Sequence, residues 1–354
     1  MSSGTAHAGR HAPAEDAAQA RDRVEAGGPA DTGNLTDTGS TSGTGGFADT
    51  ESLVDAEGVV DTGALARLRA RRPEAVAEAA ARRPRRPLLG PGGRLMIIAA
   101  DHPARGALGA GGDALAMADR GDLLRRLCVA LGRPGVDGVL ASADILDDLL
   151  LLGALDGKVV MGSMNRGGLA GAAFELDDRF TGLRPEDIRR HGFDAGKLLL
   201  RIDYDDPGSL RTLQAAADTV NAMAELGLPV FVEPFLSRRD AADGRLRNDL
   251  GATAVTKSLA IASGLAGTSA YTWLKVPVTE DPDDMARVMA TTTLPAVLLG
   301  GEVGPTAEEQ LATYEKWRGA LRLPTVQGLV VGRSLLYPAD GDVAKAVDTA
   351  VGLL

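Results

Sequence analysis

The chain has 354 residues, a net charge of −10, 44% hydrophobic residues, 3% aromatics, four histidines and one cysteine. An acidic, aromatic-poor chain is a poor partner for nucleic acid, a lone cysteine excludes an internal disulfide framework or a zinc–thiolate cluster, and no run of 18 apolar residues offers a membrane span. The N-terminus lacks a charged segment followed by an apolar one, so no secretory signal is read there, and a soluble, cytoplasmic protein is expected.

Residues 1–62 are mostly Gly, Ser, Thr, Asp and Ala with few large apolar side chains, a composition that cannot bury enough surface to offset the entropy of ordering. They are expected to form a disordered tail. Asp-Thr-Gly recurs at Asp31, Asp37 and Asp61 without a fixed period, which argues against a calcium-binding repeat. Residues 63–94 form an Arg/Ala-rich lead-in, with eight arginines between Arg67 and Arg86, read as a helix over 64–87 with a solvated basic face. The alternative, a nucleic-acid surface, conflicts with the overall charge.

From Leu95 the pattern becomes short apolar runs alternating with helical segments. Strands are expected at 95–101, 136–142, 158–163, 197–203, 229–234, 271–278, 295–300 and 327–332. Helices are expected at 114–131, 144–155, 185–191, 210–224, 252–264, 282–290, 307–321 and 343–354, with Cys128 on an apolar helix face. Eight such alternations over residues 95–354 are the pattern of a (β/α)8 TIM barrel. A doubly wound sheet is the competing architecture, but no glycine-rich dinucleotide fingerprint follows the first strand.

A barrel places chemistry at the C-terminal ends of its strands, and inward-facing charges there are few. Alternation along the sixth strand puts Tyr271, Trp273, Lys275 and Pro277 on one face. Lys275 is the lone charge of an otherwise uncharged run; desolvation would push its amine toward the neutral, nucleophilic form that makes a Schiff base. On the same reasoning Asp101 ends strand one, Lys197, Arg201 and Asp203 share a face of strand four, and Glu233 lies on strand five with Phe231. Lys197 stands at the beginning of its strand, so its reach depends on how deep the barrel seats it. Gly300-Gly301 and Gly332-Arg333-Ser334 close strands seven and eight, where barrels commonly hold a phosphate. The segment after residue 62 has only His102 and His191, too few for an imidazole-rich zinc aldolase site, and no metal is expected.

Residues 95–337 resemble the class I, Schiff-base sugar-phosphate aldolases of (β/α)8 fold, which act on tagatose bisphosphate, sulfofructose phosphate and intermediates of inositol breakdown. The resemblance rests on Ile97-Ile98-Ala99-Ala100-Asp101-His102, Lys197-Leu198-Leu199-Leu200, Val232-Glu233-Pro234, Leu274-Lys275-Val276 and Gly332-Arg333. It implies a lyase without a cofactor, with Lys275 forming the iminium, Glu233 moving protons, Lys197 assisting, Asp101 in the site, and a phosphorylated sugar as partner; a homo-oligomer is left open. Arg105, Arg166 and Arg201 stand where a second anionic group could be held. Together with the resemblance, that motivates, among the family's substrates, 2-deoxy-5-keto-gluconate 6-phosphate, cleaved to dihydroxyacetone phosphate and malonate semialdehyde. A deoxyribose-phosphate aldolase, an isomerase and a non-catalytic phosphosugar-binding barrel are the alternatives.

Overall fold

The computed structural model of the chain describes residues 53–55, 58–301 and 306–354. Eight parallel strands close on themselves: β1 (Leu95–Ala100), β2 (Gly138–Ala141), β3 (Val159–Ser163), β4 (Ala195–Ile202), β5 (Val230–Arg239), β6 (Thr272–Val276), β7 (Ala296–Leu299) and β8 (Val326–Val331). Each pairs with the next and β8 returns to β1, so the ring has no free edge. This is the expected (β/α)8 barrel. Helices α1 (Thr62–Arg71) and α2 (Ala75–Arg82) precede it, and α3 (Arg120–Leu131), α4 (Ala143–Leu151), α5 (Pro185–Arg190), α6 (Gly208–Glu225), α7 (Ala252–Ser263), α8 (Pro282–Met289) and α9 (Ala307–Ala320) follow β1 to β7 in turn. A short α10 (Arg333–Leu336) and α11 (Val343–Val351) complete the ring.

The strands read as unbroken apolar runs because both faces are buried. Met96, Ile98, Leu198, Leu200, Leu274 and Val276 face the helices. Leu95, Ile97, Leu140, Met161, Phe231 and Val330 fill the barrel, with Trp273 packed against them. Between β7 and β8 the register slips by one residue. The slip falls beside Gly328, whose φ is +144° and where an added Cβ would sit 2.0 Å from the Leu95 carbonyl oxygen; only glycine fits this bulge. β5 outruns the barrel and folds back as a hairpin onto a short antiparallel strand, Leu246–Asn248.

Two local expectations are corrected. The helix expected from residue 114 begins at Arg120, because Asp119 caps it by accepting the Asp122 N–H at 2.9 Å. The lead-in breaks into α1 and α2 around Pro73; of its eight arginines Arg67, Arg71, Arg82 and Arg85 are exposed, Arg69, Arg72 and Arg86 are half-buried and Arg83 is buried. Arg69 bonds Asp148 on α4 at 2.8 Å. Arg83 is buried and donates to the Lys158 and Gly192 carbonyls, both at 2.7 Å. Arg85 and Arg86 reach Asp194 at 3.1 Å and Asp137 at 2.5 Å. Asp137 and Asp194 stand just before β2 and β4, and each also accepts a strand N–H, from Met96 and Val160, at 2.8 Å. The arginines and Leu88, which packs against the inner core, therefore floor the barrel at the strands' N-terminal ends.

The tail expected over 1–62 falls outside the described residues through 52. Near its end, Val54 bridges Val60, which is buried, and Asp61 caps α1 by accepting the Ala64 N–H at 2.8 Å. Among the described residues, no helix is long and apolar enough to cross a membrane.

Candidate active site

Inward positions along each strand alternate from apolar at the floor to polar at the mouth. β1 continues from Ile97 and Ala99 to Asp101, β3 from Met161 to Ser163, β4 from Ala195 to Lys197, β5 from Phe231 to Glu233 and β6 from Trp273 to Lys275. The Phe231 and Trp273 rings, 5.1 Å apart between centroids, form the apolar layer under the charges. Lys197 lies opposite Phe231 in register, one layer below Glu233. Its flexible stem lifts the ammonium to the mouth, which answers the question of depth.

The charged groups form one chain of contacts. The Lys275 Nζ donates to Glu233 Oε1, and Lys197 pairs with Glu233 Oε2. Lys197 also donates to Asp101 Oδ2 at 3.2 Å. That same Asp101 oxygen accepts from Ser163 Oγ at 3.1 Å and from Arg166, whose Nε donates to Ser163 Oγ at 2.7 Å. All five charged side chains are buried, so three cations face two carboxylates out of water. Burial lowers the Lys275 amine from its ordinary range, with the Arg166 and Arg333 charges adding to the effect against the pull of Glu233. Burial lowers Lys197 further, with Arg166 and Lys275 contributing. Burial alone would raise Glu233, but the two ammonium groups outweigh it and hold the carboxyl well below its usual range.

Gly300 and Gly332 follow the adjacent strands β7 and β8, and a Cβ added at Gly300 would lie 3.3 Å from Ser334 Oγ. At Gly332 an added Cβ would lie 2.1 Å from the Ala99 carbonyl oxygen, so the loop runs against β1. Gly301 has φ +65°, and residues 302–305 beyond it lie outside the described residues. Arg333 donates to the Gly109 carbonyl at 3.5 Å, and Ser334 Oγ is buried without a hydrogen-bond partner. Arg333, Ser334, Tyr337, Gln310, Arg126 and the glycine-rich loop after β1 line a cavity of about 820 Å³. Its walls do not include Lys275 or Glu233.

Arg201, expected at the substrate, is engaged elsewhere. It pairs with Glu175, donates to the Glu175 carbonyl at 3.0 Å and lies 3.7 Å from Asp178, pinning the loop after β3. Arg105 reaches the same Glu175 at 3.3 Å. Ser163 and the Arg166 contact to Asp101 escaped the sequence reading, because Asp101 and Arg166 are 65 residues apart. The signal available was the polar run Ser163, Asn165 and Arg166 at a strand end. Asn165 clamps that run to β4 by donating to the Leu199 carbonyl at 2.5 Å and accepting the Leu199 N–H at 2.7 Å.

A protein-family model described as Cgl0159-like matches residues 93–351. The crystal structure of Cgl0159 from Corynebacterium glutamicum is 52% identical, covers 85% of this chain and 98% of its own, and has a TM-score of 0.79. That coverage is longer than the family match, so the likeness extends into the lead-in. A Schiff-base-forming fructose-1,6-bisphosphate aldolase studied through its reaction intermediates is 20% identical over 78% of this chain and 99% of its own, with a TM-score of 0.57. An archaeal fructose-1,6-bisphosphate aldolase, its catalytic lysine bound to the carbinolamine intermediate, is 19% identical over 78% and 98%, with the same score. At that identity the two aldolases establish a common fold. A search of curated protein sequences finds no match.

Proposed function

The chain belongs to the Cgl0159-like family, and from the charges gathered at its barrel mouth we propose that it is a class I aldolase cleaving a phosphorylated keto sugar through a Schiff base on Lys275. The observation that carries this reading is the single carboxylate of Glu233 bonded to both Lys275 and Lys197 in a buried site. A buried amine whose pKa is lowered is a nucleophile, and its carboxylate partner takes the proton that the amine sheds.

Lys275 Nζ attacks the ketose carbonyl and gives a carbinolamine. Glu233, with Lys197 on its other oxygen, returns the proton to the departing hydroxyl, water leaves and an iminium forms. The electrons of the adjacent C–C bond then flow into the iminium, an aldehyde departs, and an enamine remains on Lys275. Protonation of its carbon and hydrolysis release the second product. Gly300, Gly301, Gly332, Arg333 and Ser334 supply backbone N–H groups, a guanidinium and a hydroxyl for the phosphate.

The narrower substrate, 2-deoxy-5-keto-gluconate 6-phosphate, rested partly on the resemblance and partly on Arg105, Arg166 and Arg201 meeting a carboxylate. Each is paired with a resident acid, so the proposal stays at keto sugar phosphates as a class. Borohydride with dihydroxyacetone phosphate is the test: a reduced adduct is expected on Lys275 and none in Lys275→Ala. Kinetics on fructose 1,6-bisphosphate, tagatose 1,6-bisphosphate, deoxyribose 5-phosphate and the keto acid phosphate then select the substrate. Binding of dihydroxyacetone phosphate without an adduct would leave a phosphosugar-binding barrel.

A further inference from the structure

We propose that His102 is a second catalytic residue, the base that removes the proton from the hydroxyl on the carbon being released as aldehyde. The inference rests on the aldolase reading above and assigns it a group that the lysine–glutamate chemistry leaves unfilled.

Cleavage needs a base at that hydroxyl; Glu233 is engaged on both oxygens and Asp101 on one, Oδ2. Glu233 holds one ammonium on each oxygen. Asp101 Oδ2 receives Lys197, Ser163 and Arg166. Among the described residues, the buried side-chain atoms without a hydrogen-bond partner are hydroxyls, arginine nitrogens, one oxygen of Asp178 on the Arg201 side, and His102 Nδ1. A buried unpaired polar atom is costly and calls for a reason. The nearest acid oxygen to this nitrogen, Asp101 Oδ1, is 3.8 Å away, beyond hydrogen-bond distance. With its proton on Nε2, the ring offers Nδ1 as an open acceptor at the end of β1.

The backbone fixes this placement. His102 directly follows Asp101 and starts the one-turn helix Pro103–Arg105 with φ −65° and ψ −40°, so proline locks the chain immediately after it. The charges acting on the ring come from Asp101 on its own strand, Lys197 on β4, Glu233 on β5, Lys275 on β6 and Arg333 after β8. Burial comes first in pushing the imidazole well below its ordinary range, and Arg333 and Lys275 reinforce it. The ring is thus held in its neutral form, which leaves the lone pair of one ring nitrogen as an acceptor.

The step balances within the site. The hydroxyl proton passes to Nδ1, its oxygen becomes the aldehyde carbonyl, and the C–C electron pair moves into the iminium to give the neutral enamine. The resulting imidazolium then returns the same proton to the enamine carbon, restoring both the iminium and the neutral ring. Glu233 and Lys197 manage the water of the carbinolamine, and His102 manages the proton of the bond cleavage.

Three measurements on wild type and His102→Asn test the assignment: borohydride trapping with dihydroxyacetone phosphate, cleavage of the substrate that the kinetic panel selects, and the pH profile of kcat/KM. The variant is expected to form the Lys275 adduct in wild-type yield, which also shows that it is folded. Its cleavage rate should fall by roughly 10²-fold or more. The acidic limb of the wild-type profile, set below the ordinary histidine range, should disappear. Cleavage within about threefold of wild type, a retained acidic limb, or joint loss of adduct and cleavage would each overturn the role of His102 while the aldolase reading stood. Absence of an adduct in wild type would instead remove the aldolase reading and this inference with it.

Discussion

Lys197 and Lys275 are bonded to opposite oxygens of one carboxylate, Glu233, although they stand on strands that are not neighbours. Protons in such a trio belong to the group rather than to one residue. Removing Lys197 deletes a like charge and leaves the whole of Glu233 to Lys275, so both changes raise the Lys275 pKa. Lys197→Met should therefore move the alkaline-going rise of kcat/KM to higher pH, read from a full pH profile; an unshifted rise would confine Lys197 to a packing role.

Glu233→Gln keeps the shape of the trio and removes its anion. Lys275 then loses the partner that favours its ammonium, so borohydride trapping should persist at neutral pH. Loss of carbinolamine water should slow, lowering kcat roughly 10²-fold. Pre-steady-state trapping separates the two effects, and equal loss of adduct and turnover would count against a proton-carrying Glu233.

The same residue sets an acid dependence of stability. Its folded pKa lies below the unfolded value of about 4.3, so the folded state binds fewer protons in that window. The stability it contributes is complete above about pH 4.3 and is lost as pH falls from there toward the folded value. Thermal unfolding between pH 3 and 6 should show a shallower acid loss of Tm in Glu233→Gln than in wild type.

At the phosphate end, Gly332→Ala would force a Cβ to within 2.1 Å of the Ala99 carbonyl oxygen and push Arg333 away from β1. The KM for phosphorylated substrates should rise, with kcat/KM reduced roughly 10- to 100-fold. Trapping of unphosphorylated dihydroxyacetone should change little, and a parallel loss with both ligands would place the damage outside the phosphate loop.

Much of the barrel is legible in the sequence because each strand, buried on both faces, is a short apolar run between turn residues. Lys275 stands out for a related reason, since a charge amid Trp273, Leu274 and Val276 has no inexpensive explanation. The arginines misled because residue type alone does not name a partner. Arg83 and Asp194 are 111 residues apart, and Arg201 and Glu175 meet only after the loop after β3 folds over β4. His102 was visible as one of two histidines after residue 62, but that its Nδ1 lies buried without a hydrogen-bond partner appears only in the folded chain.

Arg83→Met should be a stability variant and not an activity variant. It removes the buried cation that holds the Lys158 and Gly192 carbonyls and lies 3.5 Å from Asp194. The cost should be about 3 kcal/mol, at the low end for breaking a buried pair, because Arg85 and the Val160 N–H still serve Asp194. Differential scanning should show Tm lowered by roughly 5–10 °C with the 25 °C kcat unchanged.

The floor also changes where the folding unit begins. A fragment starting at Leu95 would hold all eight strands and every proposed reacting residue, yet it would leave Asp137 and Asp194 without their arginines and the inner core without Leu88. Water would enter the barrel from beneath the layer on which Glu233 and Lys275 rest. The floor of the barrel is thus written in the sequence upstream of its own first strand, and a boundary drawn from the strand–helix alternation alone would cut it from the layer on which Glu233 and Lys275 rest.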